Sequence, residues 1–135
     1  KIYPSKIRID VKEKKPIAIL IKDKKTFYLT EKNQLINYFK YEKLEDLPNI
    51  IGNHENFFNL YKVLKSNNFA IEEVKSFYYF NIGRWDVNLK DGKVIKLPPK
   101  NYETSIKNFN KMKNNKNLNK YSIFDYRVKD QLILN

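Results

Sequence analysis

Apolar and polar residues alternate along residues 84–98, which read RWDVNLKDGKVIKLP. A period of two is the spacing of a strand that buries one face, and an Asp-Gly pair between two such runs is a turn signal. The stretch therefore predicts a β-hairpin. A type I turn followed by a left-handed Gly92 brings apolar residues opposite one another, whereas a two-residue loop mixes apolar and polar residues on each face.

The bulged register predicts which side chains of this hairpin are buried. Trp85 then faces Leu97 and Val87 faces Ile95, and all four belong to the predicted core. Asp86 lies opposite Lys96 on the other face, where we expect an ion pair. Arg84 points away from the core on that same face.

The same patterns predict seven further strands and two helices. The strands are 5–13, 17–22, 26–30, 35–36, 74–80, 121–127 and 131–135, and the last two form a terminal hairpin across 128–130. The first helix is capped by Asn53 or His54, and its buried stripe is Phe57, Leu60, Tyr61 and Leu64, at helical spacing. The second spans about 101–113 and buries Tyr102, Ile106 and Phe109. Residues 37–53 and 113–120 are predicted to be irregular. The fold class is α+β, with a largely antiparallel sheet and two helices on one face.

The charge of the chain is high but poorly suited to base recognition. Its net charge is +12, yet only three of its 27 basic residues are arginines, the side chain whose planar fork binds bases and phosphates most effectively. Solvated lysine is the simpler interpretation. The alternative function is a polyanion- or nucleic-acid-binding module that uses Lys-rich 1–25 and 107–120, with Tyr121 available for stacking.

The residues give little support to catalysis. There is no cysteine, and His54 is the one histidine, with only Glu55 beside it as a partner. A general base needs a nucleophile or carboxylate within reach in a cleft. The carboxylates lack metal-ligand spacing, and three glycines form no phosphate loop. We expect no catalytic residue, no cofactor and no metal.

Four stretches stand in chain order: YPSKIRIDVKEKKPIAI, LPNIIG, GRWDVNLKDGKVIKLP and SIFDYRVKDQLIL. Together they resemble the FtsQ/DivIB family of bacterial cell-division proteins. GRWDVNLKDGKVIKLP, a helix and then SIFDYRVKDQLIL resemble the carboxy-terminal β-domain of that family, whose usual Ile-Asp-Leu-Arg strand reads IFDYR here. LPNIIG precedes the first helix, as a Leu-Pro-x-Leu-x-Gly motif does in the family. YPSKIRIDVKEKKPIAI resembles the end of the POTRA domain. The resemblance implies the last strand of a truncated POTRA domain over 1–14 and a β-domain over 15–135.

The resemblance also implies a non-enzymatic scaffold. Family members are anchored in the inner membrane by an N-terminal helix that this sequence lacks, with these domains on the periplasmic side at the division septum. They recruit the FtsB/FtsL pair, and the β-domain binds FtsB by adding its strand to the last strand of the sheet. No nucleic acid is expected as a partner.

The residues at the end of the chain suit strand addition. QLILN is short and apolar, and an apolar edge strand exposes unpaired N–H and C=O groups that proteins normally protect. The predicted partner-binding residues are Arg84, Tyr126, Arg127, Val128, Gln131, Leu132, Ile133 and Leu134. The two arginines are expected to pair with partner carboxylates. The alternative is a purely structural role, in which the terminal strand is capped internally and the arginines form ordinary surface ion pairs.

Overall fold

The computed structural model describes residues 15–38 and 46–135, and within these ranges it contains nine strands and two α-helices. The strands are β1 (Pro16–Lys22), β2 (Lys25–Thr30), β3 (Leu35–Asn37), β4 (Asn49–Ile51), β5 (Val74–Phe80), β6 (Arg84–Leu89), β7 (Val94–Lys96), β8 (Ile123–Asp125) and β9 (Ile133–Leu134). The helices are α1 (Phe57–Ser66) and α2 (Tyr102–Met112). The strand predicted over 5–13 lies outside the described residues, and the domain boundary at residue 14 stays a prediction.

All nine strands form one sheet in the order β3-β2-β1-β4-β5-β6-β7-β8-β9. Strand β4 pairs in parallel with both β1 and β5, and β7 pairs in parallel with β8. The other pairings among the described strands are antiparallel. The predicted α+β class with a largely antiparallel sheet is confirmed.

Two crossover connections place both helices on the same face of the sheet. Helix α1 connects β4 to its parallel neighbour β5, and α2 connects β7 to its parallel neighbour β8. Parallel neighbours need such crossovers, and crossovers share one handedness. Because both connections run the same way across the sheet from strands that point the same way, both helices lie on one side of it.

Aromatic side chains fill the layer between sheet and helices. The Phe57 ring of α1 lies 4.9 Å from the Phe77 ring and 5.8 Å from the Trp85 ring, both edge-on. The Phe109 ring of α2 meets the Phe124 ring at 5.1 Å. Edge-to-face pairs at such distances contribute beyond the area that they bury. The opposite face of the sheet, which we call the open face, carries no described helix.

The central hairpin adopts the bulged register. Val87 pairs with Ile95, and the Leu97 N–H donates to the Trp85 carbonyl at 3.0 Å. Gly92 has φ 96°, the left-handed region that glycine occupies without a Cβ penalty. Trp85, Val87, Ile95 and Leu97 are all buried.

The prediction that Asp86 forms an ion pair with Lys96 is wrong, because Asp86 pairs with a different residue. Lys96 lies opposite Asp86 in the register, yet the Asp86 carboxylate accepts from the Arg84 guanidinium at 2.5 Å. Residues two apart on a strand share a face, so the long Arg84 side chain can reach the Asp86 carboxylate along the same strand. Asp86 is nearly buried, which favours the donor that can hydrogen-bond in a fixed geometry.

Residues 37–53, predicted to be irregular, contain strand β4 in the middle of the sheet. Only its central residue, Ile50, is buried, and three residues are too few to show a period in the sequence.

The cap of α1 also differs from the prediction. The helix begins at Phe57, and the Asn53 carboxamide accepts from the Glu55 N–H in a turn that precedes it.

The terminal hairpin forms, but its strands are shorter than predicted. Phe124 pairs with Leu134 and Asp125 with Ile133, so the connection runs from 126 to 132. Asp130 has φ 59° within that connection, and the Gln131 N–H donates to the Val128 carbonyl. These turns use the residues that the sequence assigns to longer strands.

Replacing Trp85 with alanine is expected to lower the free energy of unfolding by about 3–5 kcal/mol, as large aromatic truncations in a core do. Trp85 is 3% exposed and packs edge-on against Phe57 and Tyr79. Urea unfolding measures the loss. The matched control is Ile82→Ala, at a site 77% exposed, where the change should stay within about 0.5 kcal/mol. A loss below ~1 kcal/mol for Trp85→Ala contradicts the packing described here.

Candidate partner-binding site

Among the described strands, β9 forms one edge of the sheet, and its hydrogen bonds show which backbone groups face outward. The Asn135 N–H donates to the Ile123 carbonyl at 3.1 Å, and the Ile123 N–H donates back to Asn135 at 3.0 Å. Hydrogen-bonded pairs alternate along an antiparallel ladder, so Ile133 also faces inward, to Asp125. Leu134 lies between these pairs. Its N–H and C=O are directed away from β8.

The side chains around this edge are partly apolar and accessible. Ile133 projects from the open face and is 39% exposed, and Val128 in the connection is 46% exposed. Gln131 is exposed as well. Leu132 and Leu134 are half-buried against the core, which anchors the strand.

Tyr126 lies on the helix side of the sheet. It is buried, and its hydroxyl donates to the Asn108 side-chain oxygen of α2 at 2.8 Å. Burial raises the pKa of the Tyr126 hydroxyl. The Tyr126 side chain therefore links the end of β8 to α2. It is too buried to be a main contact for a partner.

Arg127 is held by Asp125 in a two-point contact. Its Nε donates to Oδ1 at 2.9 Å and its Nη2 to Oδ2 at 2.7 Å, while its backbone N–H also donates to Oδ1. The Arg127 hydrogen bonds hold the pKa of the Asp125 carboxyl below its usual value, against the opposing effect of burial. The arginine side chain is 46% exposed, and a guanidinium has five N–H donors, so three remain beyond these two.

Arg84 occupies a closed position on the open face. Its guanidinium lies 4.2 Å from the centroid of the Phe80 ring and binds Asp86, and its side chain is 8% exposed. A cation between an aromatic face and a carboxylate is well satisfied within the domain. A partner has little of Arg84 to contact.

A row of charges crosses the open face beside β9. Asp86, Lys96 and Asp125 are consecutive partners in the register of β6, β7 and β8. The charge of Lys96 adds to the effect of Arg127 in lowering the pKa of Asp125. The Asp125 hydrogen bonds raise the pKa of Arg127, and the charge of Asp86 adds to that effect. Sequence reasoning did not identify Asp125 as a site residue. Its spacing of two from Arg127 was the available signal, because such residues share a strand face.

Other chemical groups are scattered. The His54 carbonyl accepts from the Phe57 N–H. Burial, together with the charge of Lys22, lowers the pKa of the His54 imidazole. In the part of the chain that the structure describes, no group of three or more His, Cys, Asp or Glu side chains is placed to hold a metal ion.

A model of the C-terminal region of the cell division proteins FtsQ and DivIB matches residues 18–127. The match begins in β1 and ends just after β8. The chain belongs to the FtsQ/DivIB family. Strand β9 lies beyond the matched residues, so its assignment as an edge depends on the pairing with β8.

Relatives in the FtsQ/DivIB family match nearly the whole chain. The cell division protein FtsQ of Rickettsia bellii (strain RML369-C) is 33% identical over 132 residues, which cover 95% of this chain and 49% of the relative. FtsQ of Rickettsia prowazekii (strain Madrid E) is 29% identical with the same coverage. The chain thus spans about half the length of the curated relatives it matches. Among residues 15–38 and 46–135, no helix has the length and apolar character needed to cross a membrane.

Replacing Arg127 with glutamine is expected to lower the free energy of unfolding by about 0.5–1 kcal/mol at pH 6, since the pair is half-exposed. A lowered folded-state pKa of Asp125 stabilises the fold above the unfolded-state value of about 4. That stabilisation is lost as the pH falls through the folded-state pKa, so the two proteins should converge towards pH 3.

Urea unfolding at pH 6, 4 and 3 measures this convergence. Lys129→Gln is the matched control, because it removes one exposed positive charge two residues away without breaking an ion pair. A pH-independent difference between Arg127→Gln and the parent protein contradicts the assigned role of Asp125.

Proposed function

We propose that this domain is a non-enzymatic scaffold of the bacterial division machinery. In this proposal its β9 edge binds the end of an FtsB-type protein, which acts together with its FtsL partner, by strand addition. The full-length protein is proposed to be held in the inner membrane by a helix outside this chain. The domain would then work on the periplasmic side at the septum.

The observation that carries the proposal is the outward-facing backbone of Leu134 at the sheet edge. A strand laid antiparallel or parallel to β9 can exchange hydrogen bonds with its N–H and C=O, which gives affinity with little dependence on side chains. The exposed side chains of Ile133 and Val128 supply apolar contacts beside that ladder. Strand β9 has only two residues, so its backbone offers few hydrogen bonds. In this proposal the partner also contacts neighbouring groups.

Arg127 is the proposed charge contact. Asp125 fixes its guanidinium with two hydrogen bonds, so less side-chain freedom is lost when a partner carboxylate binds the remaining donors. Gln131 and Leu132 extend the contact along the connection. Tyr126 is buried and hydrogen-bonded to α2, so it supports the end of β8 from within. Arg84 is buried against Phe80 and Asp86 and does not contact the proposed partner.

Among the strands that the structure describes, β3 forms the second edge of the sheet, and it serves as an internal comparison. There the Tyr38 N–H donates to the Thr26 carbonyl and the Thr30 N–H donates to the Gln34 carbonyl. By alternation, the Asn37 N–H is directed outward. No exposed arginine lies beside β3 in the described part of the chain. The proposal therefore predicts partner binding at β9 and not at β3.

Replacing Leu134 with proline removes the outward N–H and is expected to weaken binding of a peptide from the end of the cognate FtsB by at least tenfold. Leu134→Ala removes the same packing but keeps the N–H, and should weaken binding less than threefold. Asn37→Pro makes the equivalent change at β3 and should leave affinity unchanged. Calorimetry measures the affinities, and circular dichroism confirms that each variant is folded.

Two further variants separate the outward and inward groups. Ile133→Pro removes an inward N–H, so it should lower the stability of the domain itself. Arg127→Glu should cost binding while the sheet remains folded. Unchanged affinity in folded Arg127→Glu and in a chain ending at Asp130 contradicts the proposal. Submicromolar binding of single-stranded DNA at physiological salt, with a steep dependence on salt, would instead favour a polyanion-binding module.

A further inference from the structure

A second candidate site lies at the end of the sheet opposite to β9, between α1 and the turn that joins β2 to β3. It is an open groove of about 730 Å³, which we call the lysine groove. Its lining residues are Glu31, Lys32, Phe58, Tyr61, Lys62, Lys65 and Ser66.

Helix α1 carries two rows of side chains, one buried in the core and one lining the groove. Phe57, Leu60 and Leu64 face the core and are fully buried. The adjacent stripe follows the spacing i, i+3, i+4 and i+7 and lines the groove. It consists of Phe58, Tyr61, Lys62 and Lys65. Its aromatic members form an apolar floor, and its lysines form a charged wall.

The charges of the groove are unbalanced. Lys32, Lys62 and Lys65 face one carboxylate, that of Glu31, and none of these four groups forms an ion pair with the described residues. Lys62 and Lys65 lie one turn apart on the helix, where like charges repel. The Lys62 ammonium is exposed and lies 5.2 Å from the Phe58 ring centroid, which places its charge beside the aromatic floor.

We propose that the lysine groove binds an acidic peptide segment that carries an apolar side chain between its carboxylates. The apolar side chain rests on Phe58 and Tyr61, and the carboxylates pair with Lys32, Lys62 and Lys65. The aromatic floor and the lysine wall together match a segment that carries both apolar and acidic side chains, so an acidic peptide is the occupant that the groove favours. Because the groove adjoins β2 and β3 at the opposite end of the sheet, it can be occupied together with the β9 edge.

The test uses a fluorescent hexapeptide of sequence Glu-Glu-Leu-Phe-Glu-Glu with the folded 135-residue chain. Reversing both charges in the double variant Lys62→Glu, Lys65→Glu should weaken binding at least tenfold. Phe58→Ala should weaken it about fivefold, and replacing the central Leu-Phe of the peptide with Ser-Ser should have a similar effect. Amide chemical shifts should change in α1 and in the β2–β3 turn.

The matched control is Lys107→Glu, Lys111→Glu on α2, which changes the net charge equally at exposed positions outside the groove. It should alter affinity less than twofold. Equal losses in both double variants would overturn the proposal, because they would indicate general attraction to a chain of net charge +12. Binding to phosphatidylglycerol vesicles that depends on Lys62 and Lys65, with no peptide binding, would also overturn it. FtsB-peptide affinity should be unchanged in the groove variants, which separates this test from that of the β9 edge.

Discussion

Burial of apolar side chains on one face of strands β5 to β8 is the constraint on which the rest of this structure depends. Both helices cover the same face, so every strand from β5 to β8 must place an apolar side chain towards them. Phe77, Val87, Ile95 and Phe124 form that continuous row, linked partner to partner across four strands. A slip of one residue would move a whole strand's apolar set to the other face, so the register is held strongly.

The same register determines what the open face and the edge can do. With Ile95 and Phe124 inward, Lys96 and Asp125 must face outward beside one another. Asp125 then holds Arg127 at the end of β8, next to the strand that we propose as the docking edge. A charged group at a sheet edge normally discourages pairing with other chains. An arginine that is fixed in place can instead restrict pairing to partners that bring a carboxylate to it.

How far the sequence predicts this structure differs between its parts. The central hairpin was predictable in register because alternation and a glycine turn act locally, within about ten residues. Strand β4 was not, because three residues carry no period and their pairing depends on β1 and β5, which are distant in the chain. The cap of α1 was misassigned because Asn53 uses its side chain in a preceding turn. The burial of Tyr126 depends on Asn108 of α2, which only the fold brings to it. The contact of Arg84 with Phe80 is local, across the short β5–β6 turn, but the strand pattern does not show that it buries the arginine.

Amide hydrogen exchange at the two sheet edges tests the central claim most directly. Leu134 and Asn37 both direct an N–H away from the sheet, one at each edge, and the free domain should exchange both quickly. With a saturating peptide from the end of the cognate FtsB, strand addition at β9 predicts strong protection of the Leu134 amide and none at Asn37. A bound state in which the Leu134 amide exchanges as fast as in the free domain would contradict the account.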